Sequence, residues 1–233
     1  MEVIETKITP EETVLEFVFY GLFAPKNFEP SWLYRNQILH PREVKEVNEI
    51  KINEAEVFYS TDIISFNVTY DSMIIKTNSS LTYESLLIIA KRVVNVLRSN
   101  LQPKFNFNIR YHYRNPKNQN AAKYMKKVIN ESFLDGVLDD VSLHGASFSK
   151  SIQQKEFSWH SDINLSMCRR ESAKRELIHI FFRNLLDISE PGFKVKGKEG
   201  QSTISKFIRL DNELANVMKH CETIGNDMAK RYF

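Results

Sequence analysis

From Lys104 to Arg114 the chain reads KFNFNIRYHYR, and hydrophobic and polar residues alternate without a break. Phe105, Phe107, Ile109, Tyr111 and Tyr113 share one face; Asn106, Asn108, Arg110, His112 and Arg114 share the other. Successive side chains of an extended strand point to opposite sides, so the segment is expected to be a strand with one side in a core. Thr13–Phe23 (TVLEFVFYGLF) is rich in aromatic and β-branched residues and predicts a buried strand. In Asp62–Tyr70, Ile64, Phe66, Val68 and Tyr70 oppose Ser65, Asn67 and Thr69. A turn at Asp71-Ser72 then leads into a second strand, Met73–Thr77. Val137–Phe148 and Phe157–Cys168 are expected strands, joined by a polar turn near Lys150–Lys155. In the second, Phe157, Trp159, Ser161, Ile163, Leu165 and Met167 oppose Ser158, His160, Asp162, Asn164 and Ser166.

Helical spacing appears elsewhere. Leu86, Leu87, Ala90, Val93, Val94 and Leu97 form one stripe within Leu81–Leu97, opposed by Lys91, Arg92, Asn95 and Arg98, with Thr82 as the cap. A short helix is expected from Ser31 to Leu39, stopped by Pro41. Another is expected from Gln119 to Phe133. A third, capped by Ser172 and running to Asp187, would turn Leu177, Ile178, Phe181, Leu185 and Leu186 inward. Pro191–Gly200 (PGFKVKGKEG) reads as a Gly/Lys-rich loop, and a last helix spans Thr203–Arg231. The sum is an α+β fold: an antiparallel or mixed sheet with helices packed on one face and a long C-terminal helix. It is expected as a single domain over residues 1–233, with possible sub-halves 1–116 and 117–233. Three strands carry Ser, Asn, Thr, His or Arg on one side, which predicts a polar sheet face.

The stretch from Ile64 through Arg110, with the aromatic N-terminal strand and the long final helix, resembles a sporadically distributed prokaryotic family that has no established activity. That family has a strand pair, a helix and an Arg-Tyr strand, then a second sheet half and a C-terminal helix. Ile109-Arg110-Tyr111 is the specific piece, and His112 departs from the Ile-Asn that would continue it. The resemblance implies architecture and assigns no catalytic residue.

Composition narrows the class. Apolar residues make up 42% of the 233, enough for an ordinary globular core. The two cysteines, Cys168 and Cys221, form no CxxC pair, which speaks against a disulfide scaffold or structural zinc site. Met1–Pro10 lacks a signal-peptide pattern and no apolar run suits a membrane span, so a cytoplasmic protein without a membrane partner is expected.

Net charge is only +3, but Ser85–Asn130 contains ten bases and no acid. Arg110, Arg114, Lys117, Lys123, Lys126 and Lys127 are the candidates there for an anion or nucleic acid. Base stacking by the strand aromatics is not expected, because alternation places them in the core. The simpler account is a solvated face, or pairing with acids of the N-terminal third such as Glu43 and Glu46. Phe207, Leu210, Leu214, Val217, Cys221, Ile224 and Met228 repeat at spacings of 3 and 4 over three heptads. They are candidates for a protein partner or homo-oligomer interface, or for packing along the domain itself.

His160 and Asp162 lie two apart on one strand face. With His112 or His144 they suggest a metal site, and with Cys168 or a serine a nucleophilic triad. No GxSxG, HExxH or GxxxxGK[ST] motif occurs. The reading is therefore a non-catalytic binding or assembly protein with no cofactor and no metal. The alternative is a hydrolase or metal-dependent enzyme using His112, His160 and Asp162.

Overall fold

The computed structural model describes residues 10–41, 47–77, 83–97, 100–114, 145–153, 158–170, 175–188, 207 and 210–232. Its strands are β1 (Glu12–Gly21), β2 (Glu49–Ile52), β3 (Val57–Ser60), β4 (Ile64–Val68), β5 (Ser72–Thr77), β6 (Leu101–Arg114), β7 (Gly145–Gln153), β8 (Ser158–Arg170) and β9 (Arg175–Asp187). They form one antiparallel sheet in the order β2-β3-β4-β5-β1-β6-β9-β8-β7. Among the described strands β2 and β7 are the outer ones, and β1 and β6 lie near the middle. The sheet draws strands from both expected sub-halves. The fold is α+β but dominated by its sheet.

Among the described residues three α-helices accompany it: α1 (Pro30–Arg35), α2 (Tyr83–Val96) and α3 (Asp211–Tyr232). The α2 stripe Leu86, Leu87, Ala90, Val93 and Val94 is buried as the spacing predicts, and α2 lies over β1 and β5. α3 lies over β6 and β9. Between the helices and the sheet sits a phenylalanine cluster. Phe17 of β1 stacks on Phe107 of β6 at 4.8 Å, and Phe207 meets Phe17, Phe19 and Phe105 edge-on at 6.2, 5.4 and 5.0 Å. Edge-on and offset rings add to what burial alone contributes.

α1 ends in an unusual way. Gln37 donates its backbone N–H to Tyr34 and Ile38 to Leu33, the paired bonds of a Schellman cap, with Ile38 and Leu33 both buried. The residue after such a cap is usually glycine because it must adopt a left-handed backbone. Here it is Gln37, at φ 56°. A side chain in that conformation costs about 1 kcal/mol.

Two expectations are corrected. Ser172–Asp187 is not a helix: residues 175–187 form β9, with Ile178, Ile180, Phe182, Asn184 and Leu186 facing the helices. The segment is apolar on both sides, so helical and extended spacings both match it. Its β-branched and aromatic residues decide for the strand. The polar Asn184 breaks the inward alternation but is satisfied there: its Nδ2 donates to the Phe107 carbonyl at 2.9 Å and its Oδ1 accepts from Cys221 Sγ at 3.6 Å.

The second correction concerns the partner role of the C-terminal stripe, for which packing along the domain itself was the other reading. Phe207, Leu210, Leu214, Val217 and Cys221 are buried in the domain's own core, with Ile224 and Met228 packed against it, so the seam is not free to receive a partner. Burial pushes the Cys221 thiol up to about 12. Gly225 allows this close seat, because a Cβ there would lie 2.8 Å from the Tyr113 hydroxyl.

Smaller differences follow from length. β2 and β3 have four residues each, too few for a period to show. β7 continues through Lys150, where a turn was expected. The expected helix Gln119–Phe133, the loop Pro191–Gly200 and residues 137–144 of an expected strand lie outside the described residues. No described helix is long and apolar enough to cross a membrane.

Leu214→Ala is expected to lower unfolding stability by about 2–5 kcal/mol. Gly225→Ala is expected to cost roughly 1–2 kcal/mol, because displacing the fully buried Tyr113 outweighs the helix-propensity gain. Both losses, read by denaturant titration, should not depend on protein concentration. A concentration-dependent loss would instead mean that the stripe holds an oligomer.

Candidate functional site

The helices cover one face of the sheet, and strand alternation turns a second set of side chains to the other. One register row is polar at every strand: Glu49, Ser60, Ser65, Lys76, Glu16, Asn108, Arg183, Asp162 and Ser149, running from β2 to β7. Charges along its middle are interleaved in sign. Glu16 is nearly buried, accepts from Asn108 Nδ2 at 2.6 Å, and pairs with Arg110 Nη2 at 3.4 Å. A carboxylate taken from water needs such partners.

The flanking rows carry rings. In one, Arg110 of β6 lies opposite Phe181 of β9, with the guanidinium carbon 4.8 Å from the ring centroid. In the next, Glu12, His112, His179 and Ser166 follow one another across β1, β6, β9 and β8. The two imidazoles stack at 4.9 Å and 14°. His112 Nδ1 is 3.6 Å from Glu12 Oε2, and Ser166 Oγ hydrogen-bonds His179 Nδ1 at 3.2 Å. Burial drops the His179 pKa to about 4, and the nearby His112 and Arg110 act in the same direction. His179 is thus a neutral ring at physiological pH.

At the β7–β8 end, Ser151 Oγ and His160 Nδ1 are 3.3 Å apart, and His160 Nε2 and Asp162 Oδ1 are 3.2 Å apart. A hydrogen bond from Ser149 Oγ at 2.6 Å, followed by the charges of His160 and Arg183, holds the Asp162 carboxyl below its usual range. Serine, imidazole and carboxylate form a chain on an exposed surface.

His112, His160, Asp162 and Arg110 all lie on this face, away from the described helices. They do not all converge. His112 is level with Ser166, six residues along β8 from His160, which is about 20 Å of strand. The two histidines therefore cannot share an ion, and among the described residues no three His, Cys, Asp or Glu gather to hold one. Arg110 is engaged by Glu16 and Phe181 and is 34% exposed, so it is not a free cation. Lys117, Lys123, Lys126, Lys127 and His144 lie outside the described residues, as do the side chains of Arg114 and Cys168.

The sequence reading missed His179, Phe181 and Arg183 because the helix expected over Ser172–Asp187 scattered them around an axis. The alternation of Ile178, Ile180 and Phe182 was the signal that places all three on the polar face. No protein-family model matches the chain, and no curated protein sequence matches it.

The half-buried ring gives a pH dependence with a definite sign. His179 binds a proton less readily folded, near 4, than unfolded, near 6.5. Its contribution to stability is complete above pH 6.5 and is lost as pH falls toward 4. His179→Phe removes the titration and is expected to flatten the fall in melting temperature across that window. Parallel curves for the two proteins would refute a half-buried, neutral His179.

Proposed function

We propose that the protein is a non-catalytic binding protein that holds single-stranded nucleic acid on the polar face of β6, β9 and β8. The observation that supports this is Phe181: an aromatic ring on the face away from the helices, stacked by the Arg110 guanidinium and flanked along β9 by His179 and the exposed Arg183. Unpaired bases are held by stacking on aromatic rings and guanidinium planes, with polar side chains reading their edges. Asn164 and Ser166, half-buried on β8 opposite Phe181 and His179, carry groups suited to such edges.

Charge at the middle of the described face is nearly balanced, because Glu16 and Asp162 sit beside Arg110 and Arg183. Stacking, not phosphate attraction, is the contribution of this surface. The phosphate contacts belong to the acid-free run that continues from the end of β6, with Lys117, Lys123, Lys126 and Lys127.

An oligonucleotide is expected to bind the full-length protein at low salt in a fluorescence-anisotropy titration. Phe181→Ala should weaken it by about 1–3 kcal/mol, and Lys123→Glu with Lys126→Glu should lower the salt slope by about 1 each. Failure of DNA and RNA homopolymers to bind in 50 mM salt would end this reading.

A second reading, hydrolysis, rests on the hydrogen-bonded Ser151–His160–Asp162 chain, which has the connectivity of a nucleophile, a base and an orienting carboxylate. A fluorophosphonate probe should label Ser151 in the native protein and fail in His160→Ala. Absence of labelling removes it.

A further inference from the structure

On the helix-covered side, α1, the turn after it and the last turn of α2 enclose a groove of about 430 Å³. That volume is in the range of small-molecule sites. Tyr34, Gln37 and His40 line one wall and Arg92 and Asn95 the other, and no carboxylate is present among the lining residues described. The chemistry differs from the sheet face, where Arg110 pairs with Glu16 and Arg183 lies opposite Asp162.

Arg92 is the distinctive group. Lys91 pairs with Asp211, Lys104 with Asp187 and Arg110 with Glu16, but Arg92 makes no ion pair among the described residues. Its Nη1 donates instead to the Ile38 carbonyl at 3.3 Å, which braces the guanidinium against the turn and leaves its other N–H groups for a ligand. A planar fork held in place and lacking a carboxylate suits a phosphate. Tyr34, half exposed, offers a ring beside it. Gln37 stands on the same wall in the left-handed conformation where glycine would cost nothing. Its exposed side chain is thereby placed on the wall of the groove, where it can meet a ligand.

We propose that this groove binds a mononucleotide, with Arg92 on the phosphate, Tyr34 against the base and Gln37 on a polar edge. The site is independent of the sheet face, and its test keeps the two apart.

Full-length protein is titrated calorimetrically with AMP, and separately with adenosine and pyrophosphate. AMP should bind more tightly than either. Arg92→Gln should weaken AMP about tenfold or more without moving the melting temperature of the free protein. Gln37→Gly should raise that melting temperature and yet weaken AMP, a combination that a purely structural Gln37 would not produce. Phe181→Ala should leave AMP binding unchanged; a loss there would place the nucleotide on the sheet face and overturn the assignment. So would AMP failing to bind, binding that survives Arg92→Gln, or pyrophosphate binding as tightly as AMP.

Discussion

The pairing of β1 with β6 is the constraint from which the rest of the structure follows. These strands are more than ninety residues apart where Glu16 meets Asn108, yet they lie side by side near the centre of the sheet. β5 attaches to the far side of β1 and β9 to the far side of β6, so each half of the sheet grows from this seam. The seam is held on both surfaces. On one, Phe17 stacks on Phe107 and the cluster closes under Phe207; on the other, Glu16 is gripped by Asn108 and Arg110.

That double hold specifies register as well as adjacency. Moving β1 by one residue against its neighbours would exchange its faces. Glu16 would enter the phenylalanine cluster and Phe17 would come out beside Arg110. An unpaired carboxylate in an apolar core costs several kcal/mol, so the polar row across the sheet acts as a check on the apolar one beneath it. The polar row depends on residues from both ends of the chain and cannot form until they meet.

How much of this was legible depends on how unequal the two sides of each segment are. β6 and α2 could be read directly, since one side is oily and the other is not. Residues 175–187 carry Phe181 and Leu185 on the side opposite Phe182 and Leu186, so no single period stood out, and the ring at the centre of the proposed binding face was hidden with it. The stripe of α3 was visible but its occupant was not: a seam of Leu214, Val217 and Cys221 looks the same whether a second molecule or the chain's own sheet covers it. Glu16 showed no sign of its importance, because only the fold places Asn108 and Arg110 around it. The groove at Arg92 was equally silent, being made from two helices that the sequence separates by some fifty residues.

Among the described strands, the two outer ones differ in a way that bears on solubility. An open sheet leaves backbone donors and acceptors along each border, and an unguarded border can template growth by other chains. β2 is only four residues long and presents Lys51 in its middle, tied back to Glu56. β7 runs for nine residues, and its guard is compositional: Ser147, Ser149, Lys150 and Ser151 are exposed around Phe148. If this molecule has a weak point for fibre-like assembly, it is therefore the Ser147–Ser151 border, where one hydroxyl-to-aliphatic change would join Phe148 into a continuous sticky strand.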